Sequence, residues 1–165
     1  MPGHTSPNTE DDQERPNPGS IIAPSPLLVL GSLVSGIVLD RFERVTVLPR
    51  PWNVAIGGLS FVTGTVLFGG AIRTMGRAGT GPSHDEDSPR LIAGGVFRYT
   101  RNPIYLGNCL QHVGLSLVYN SLWPIVTLVP VVAYLGRVID REEAYLEAVF
   151  GDEFENHREN VQRWL

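Results

Sequence analysis

Charge is absent from three long stretches of this chain, and that absence limits the possible folds more than any other feature. All thirteen cations are arginine, and none lies between Arg15 and Arg41, between Arg50 and Arg73, or between Arg101 and Arg137. Apart from Asp40, at the end of the first gap, the acids avoid the same stretches; Asp85, Glu86 and Asp87 fall between Arg77 and Arg90. A mean hydropathy near zero over 165 residues is therefore the average of polar connectors and apolar runs. Segregation of that kind marks a polytopic membrane protein, not a soluble domain with a modest core.

Residues 21–39 and 54–72 each give about 19 uncharged positions, enough at about 1.5 Å rise per residue to cross a hydrocarbon layer of about 30 Å. The stretch 103–136 is too long for one crossing, at about 50 Å as a single helix, and has to fold back. Asn120-Ser121, just ahead of Trp123-Pro124, is the expected turn, because Asn and Ser favour turns and Pro fits the first turn of the next helix. The expected architecture is all-α, with four spans at about 21–40, 52–73, 103–119 and 122–139.

With an even number of spans, Arg15, Arg73, Arg77, Arg90, Arg98, Arg101, Arg137, Arg141, Arg158 and Arg163 fall on one side, against Arg41, Arg44 and Arg50 on the other. The positive-inside rule then puts both termini in the cytoplasm, and Trp52 and Trp123 suit interfacial positions. Residues 1–20 combine Pro, Asn, Ser and acids without an apolar face and are expected to be a disordered tail. They lack the start of a cleavable signal, so the first span is expected to be an uncleaved anchor. The composition, arginine-rich with no lysine, suits a bacterial inner membrane.

Residues 141–165 break the pattern. Leu146, Val149, Phe150, Phe154, His157, Val161 and Trp164 recur at helical spacing opposite a charged face, which predicts an amphipathic cytoplasmic helix, interrupted at Gly151, on the membrane surface. The domain reading is a tail at 1–20, a membrane domain at 21–140 that includes a cytoplasmic loop at 74–102, and this C-terminal helix.

Several chemistries find no residues here. Cys109 is the single cysteine, so no disulfide or thiolate metal site can form within the chain, and four scattered histidines offer no zinc spacing. Neither a P-loop nor a dinucleotide-binding glycine fingerprint in a strand–helix context is present.

Three segments on the expected cytoplasmic side carry the informative residues: "MGRAGT" at 75–80, "GGVFRYTRNPIYLGN" at 94–108 and "REEAYLEAVFGDEF" at 141–154, with "VQRWL" closing the chain. In order and spacing they resemble the integral-membrane methyltransferases that include isoprenylcysteine carboxyl methyltransferase and the phospholipid N-methyltransferases, over about residues 70–165. Members often carry Arg-His-Pro where this chain has Arg101-Asn102-Pro103, a departure that bears on the substrate more than on the fold. The resemblance implies S-adenosylmethionine as cofactor, held where the C-terminal helix completes a pocket beside the bundle, and a lipid-like or small hydrophobic methyl acceptor arriving from the bilayer. The motif positions it marks for the cofactor are Gly76, Gly79, Arg98, Arg101, Asn102, Tyr105, Leu106, Gly107, Glu142 and Glu143.

These residue types suit that cofactor. Glu142 and Glu143 offer acceptors to ribose hydroxyls or the amino group, Arg98 or Arg101 a cation for the carboxylate, and Tyr105 a ring face. Gly76 and Gly79 allow close backbone approach, and Pro103 costs no helix bond in a first turn. Each also has a plainer role: the arginines as orientation signals, the glutamates as a solvated helix face, the glycines as loop punctuation.

Within the third span, Asn108, Gln111 and His112 form a polar stripe at i, i+3 and i+4. Interhelical hydrogen bonding is its structural reading; lining a substrate chamber, with His112 as base for an amine or thiol, is its functional one. Gly57, Gly64, Gly69 and Gly70 of the second span read as close helix packing. An acceptor carboxylate would call for Arg158 or Arg163, whereas an amine or thiol acceptor would not. The alternative class is a non-catalytic four-span scaffold or small transporter. A transporter, however, is expected to hold an ionisable residue near the middle of a span, and His112 is the single ionisable group within one.

Overall fold

The computed structural model describes residues 25–79 and 91–164. The tail at 1–20 and the middle of the 74–102 loop lie outside the described residues. What is described is helical, with no strand: α1 (Ser25–Asp40), α2 (Trp52–Arg77), a 3-10 turn (Gly95–Arg98), α3 (Pro103–Tyr119), α4 (Trp123–Phe150) and α5 (Asp152–Asn160).

Two of these helices, α2 and α4, are long and apolar enough to cross a membrane. Only 17% of the apolar window of α2 is buried within the protein, which separates it from the core helix of a soluble domain. Its outward face shows Ile56, Leu59, Val62 and Val66, and α1 shows Leu27, Leu30, Val34 and Val38. Continuous apolar surface of this extent requires a non-aqueous neighbour.

Glycines let the backbones of α2 and α3 touch. A Cβ on Gly64 would stand 2.5 Å from the Gly107 carbonyl oxygen, and one on Gly57 would stand 2.8 Å from that of Gly114. The pairs are two helical turns apart, and between them Ser60 donates its hydroxyl to the Leu110 carbonyl at 2.8 Å. The other two expected packing glycines differ. Gly70 faces the Val96 side chain in the 3-10 turn, and Gly69 meets nothing within 4 Å, so it is no packing position. On the other flank, Gly36 of α1 lies against the Pro124 backbone of α4, and Thr127 donates to the Ser32 carbonyl at 2.7 Å.

The chain reverses at Asn120, as expected. This residue takes a left-handed conformation (φ 60°, ψ 52°), which Asn tolerates well, and caps α3. Its N–H reaches Leu117 O and the Ser121 N–H reaches Ser116 O, satisfying carbonyls that the helix end would leave open. The Asn120 side-chain oxygen then accepts the N–H groups of Val47 and Leu48, at 3.0 and 3.1 Å. Ser121 donates to buried Asp40 at 2.7 Å, and the Trp123 indole donates to the Glu43 carbonyl. We call this the turn end.

Unlike the expected span 122–139, α4 does not stop at the apolar boundary. It runs on through Asp140-Arg141-Glu142-Glu143 to Phe150, because Ala, Leu and Glu there are good helix formers and no Pro or Gly lies between Asp140 and Gly151. The expected C-terminal amphipathic helix is accordingly divided. Leu146, Val149 and Phe150 belong to α4, Gly151 takes φ +51°, and α5 follows at once. On that face Phe154 and Val161 are buried, whereas Val149 is exposed.

Candidate functional site

At the opposite end of the bundle, the head of α3 meets the far part of α4 and the C-terminal segment. Pro103 opens α3 without losing a helix bond, and Asn102 is the N-cap residue, yet its side chain makes no cap bond. Instead Asn102 Nδ2 donates to the Arg163 carbonyl at 3.3 Å, and Thr100 Oγ1 donates to the same oxygen at 3.0 Å. Thr100 is fully buried, and its hydroxyl also accepts the Asn102 N–H. The Arg101 N–H completes the clasp on the Gln162 carbonyl at 3.0 Å.

Arg101 and Arg163 converge on the buried Glu143 carboxylate. Arg163 grips both oxygens, Nε to Oε1 at 3.2 Å and Nη2 to Oε2 at 2.6 Å, and sends Nη1 to Asp140 at 2.8 Å. The hydrogen bonds with Glu143 raise the pKa of Arg163 above its ordinary value. Arg101 reaches Glu143 only through Nη2, at 3.4 Å. Its side chain is 12% exposed, and its Nε and Nη1 are buried without any hydrogen-bond partner. Burial lowers its pKa, against the opposing pull of Glu143. A buried guanidinium with two idle donors is costly, so a ligand that accepts from them recovers that cost.

One turn further along α3, Tyr105 donates its hydroxyl to Glu142 at 2.6 Å. The glutamate pair is thus divided: Glu143 is committed to arginines, while Glu142 is joined to Tyr105. Arg98 is exposed and stacked over the Tyr99 ring at 4.9 Å, so of the two candidate cations Arg101 is the more enclosed, with Nε and Nη1 out of solvent. Gly76 and Gly79 have open space where a Cβ would stand, and Gly79 has φ +74°. Leu106 is buried, and Gly107 lies in the α2 seam against Gly64.

Arg158 pairs with Glu147 at 3.0 Å and with Glu155 at 3.6 Å, so it and Arg163 both already have carboxylate partners within the chain. His157, in the same region, has its pKa lowered by burial and by the Arg101 charge.

The polar stripe of α3 separates. Gln111 donates to Thr65 of α2 at 3.1 Å. The His112 ring, 2% exposed, places Nε2 at 2.8 Å from the Pro124 carbonyl. Since a carbonyl only accepts, Nε2 carries the proton, leaving Nδ1 as an acceptor; that Nδ1 and Asn108 Nδ2 are buried without partners.

Thr100, Asp140 and the Gln162 carbonyl belong to this cluster but do not stand out in the sequence. Thr100 was visible inside "RYTRNP", yet its partner is 63 residues away, and no spacing rule links the two.

The phospholipid methyltransferase family model matches residues 52–153. The chain is 32% identical over 118 residues to a probable protein-S-isoprenylcysteine O-methyltransferase of Oryza sativa subsp. indica, covering 69% of this chain and 62% of that protein. It is 30% identical over 93 residues to the protein-S-isoprenylcysteine O-methyltransferase of Schizosaccharomyces pombe, covering 53% and 39%. To protein-S-isoprenylcysteine O-methyltransferase B of Arabidopsis thaliana it is 28% identical over 139 residues, covering 80% and 70%. The match thus spans less than two thirds of the rice relative's length. No solved structure matches.

Proposed function

This chain belongs to the phospholipid methyltransferase family, and on that premise we propose that it is an integral-membrane methyltransferase using S-adenosylmethionine, with a lipid-like or small hydrophobic acceptor. The observation that carries the reading is Arg101, whose two idle, buried nitrogens fit the carboxylate of an amino-acid-bearing cofactor. Bound there, the cofactor supplies an electrophilic methyl group on a positive sulfonium.

The protein's part is to position, to hold and to exclude water. Arg101 takes the carboxylate, with Asn102 and Pro103 fixing the start of α3 beneath it. Glu142 and Tyr105 receive ribose hydroxyls or the amino group, and Gly76 and Gly79 leave room for the cofactor's approach. No protein nucleophile is required for an in-line displacement. His112 Nδ1 is the acceptor for a proton lost by an amine or thiol nucleophile, with Asn108 beside it on the helix face.

Four helices, α1, α2, α3 and the first part of α4, cross the bilayer, with the exposed apolar side chains towards lipid. The arginine excess supports a cytoplasmic position for the Arg101 end and both termini, the membrane being a bacterial inner membrane in this reading. A polar cofactor then enters from water while the acceptor arrives laterally from lipid.

Equilibrium binding of S-adenosylmethionine to protein in detergent or nanodiscs tests the reading. Wild type binds, and Arg101→Ala weakens binding by about 10- to 100-fold, the range for losing charge-assisted hydrogen bonds. Folded wild type that does not bind removes the cofactor assignment. His112→Ala is expected to keep binding and lose turnover; normal turnover removes the proton-acceptor role.

A further inference from the structure

An arginine and a carboxylate buried side by side normally close a two-pronged pair, since the guanidinium fork matches both carboxylate oxygens. Arg101 and Glu143 do not. Arg163 has taken that position, covering Oε1 with Nε and Oε2 with Nη2, and Arg101 keeps one long contact of 3.4 Å. The third nitrogen of Arg163, Nη1, donates to Asp140, so each of its nitrogens already serves a carboxylate.

We propose that Arg163 is a positioning residue that reserves Arg101 for an anionic ligand: by occupying Glu143 it stops Glu143 from neutralising Arg101. The proposal rests on the reading above, in which Arg101 receives the cofactor carboxylate. It explains why Nε and Nη1 of Arg101 stay idle although its Nη2 lies 3.4 Å from a carboxylate that could have taken the guanidinium fork.

The main chain is arranged to maintain this competition. Thr100 and Asn102, the residues on either side of Arg101, both donate to the Arg163 carbonyl, and the Arg101 N–H holds Gln162. The segment carrying Arg163 is thereby tied to the residues flanking the arginine it competes with. Buried Val161, in extended conformation after α5, fixes the approach from the other side. Any slack in the clasp lets the Arg163 fork withdraw and hands Glu143 to Arg101.

The test compares two nucleosides that differ at the anionic end: S-adenosylhomocysteine, which carries the carboxylate, and 5′-methylthioadenosine, which lacks it. Binding of each is measured to the full chain in nanodiscs for wild type, Arg163→Gln, Glu143→Gln and the double variant. Arg163→Gln is expected to weaken S-adenosylhomocysteine about tenfold, as Glu143 swings onto Arg101, and to change 5′-methylthioadenosine less than about twofold. Removing Glu143 as well frees Arg101, so the double variant is expected to recover to within about threefold of wild type.

A double variant no better than Arg163→Gln, or equal weakening of both nucleosides, overturns the proposal and makes Arg163 a direct ligand or a structural brace. Thr100→Val, nearly isosteric, removes the clasp bond to Arg163 together with the acceptor of the Asn102 N–H and serves if Arg163→Gln does not fold: the same selective loss is expected, and unchanged affinity overturns the proposal. Folded wild type that binds neither nucleoside overturns the cofactor reading and this proposal with it, whereas wild-type binding insensitive to Arg163 overturns this proposal alone.

Discussion

The turn end and the Arg101 end of the bundle are built alike and finished differently. Each joins a loop to a helix terminus through side chains more than sixty residues apart: Asn120 to Val47 and Leu48 at one, Thr100 and Asn102 to Arg163 at the other. At the turn end the joining group is neutral and fully used, the Asn120 oxygen accepting two N–H groups. At the Arg101 end it surrounds a cation with two idle nitrogens. The same stitching thus surrounds a neutral group at one end and a cation with unused nitrogens at the other, although the turn end also buries Asn53 Oδ1 without a partner.

Four measurements break or sharpen that contrast. The largest effect belongs to neither end but to the seam between them. Gly64→Leu drives a side chain into the Gly107 carbonyl, where backbone cannot yield, and is expected to cost about 3 kcal/mol or more and to depress thermal stability and ligand binding together. Loss of binding with stability intact would show that the two ends do not share this scaffold.

Asn120→Ala comes next. It strands two backbone N–H groups and puts a Cβ-bearing residue without local hydrogen bonding in the left-handed region, at an expected cost of about 2 kcal/mol. Cofactor affinity should not change, and a fall of more than about threefold would couple the ends. Arg101→Met has the converse profile: melting temperature equal to or above that of wild type, because a buried charge with idle donors is removed, and affinity down by about 10- to 100-fold. A large fall in melting temperature would class Arg101 with Asn120 as a structural group.

The smallest effect is a pH slope. His157 has its pKa lowered by burial and by Arg101, so the unfolded chain takes up a proton near its ordinary value of 6.5 that the folded chain resists until the pH is lower. Stability is therefore expected to fall as pH drops from about 7 through 6.5 towards the depressed folded value, and His157→Gln should flatten that part of the profile. Identical profiles would remove the histidine from the account.

The helices were largely legible because missing charge is a one-dimensional signal: α2 and α3 begin at Trp52 and Pro103 as the uncharged runs predict. The reversal was legible because Asn is one of the few residues comfortable at positive φ. The end of α4 was not, since leaving an apolar layer and ending a helix are separate events and the charged residues past Ile139 are good helix formers. Gly69 and Gly70 looked like Gly57 and Gly64, but the pairs that touch α3 are set by its register, which a single helix sequence does not carry. Adjacent positions on a helix point about 100° apart, so the different partners of Glu142 and Glu143 follow from which neighbour each meets, and that depends on a C-terminal segment twenty residues further on.

The continuity of α4 ties one boundary of the bundle to the other. From Trp123, whose indole is held at the turn end, to Glu143 the helix rises about 30 Å, close to the thickness of a hydrocarbon layer. A rod secured at one face and carrying the carboxylates at the other works as a ruler. If α4 crosses the membrane as proposed, a bilayer of matching thickness leaves Asp140 and Glu143 at the far water boundary, and a thicker one draws them towards the apolar layer unless it thins around the helix.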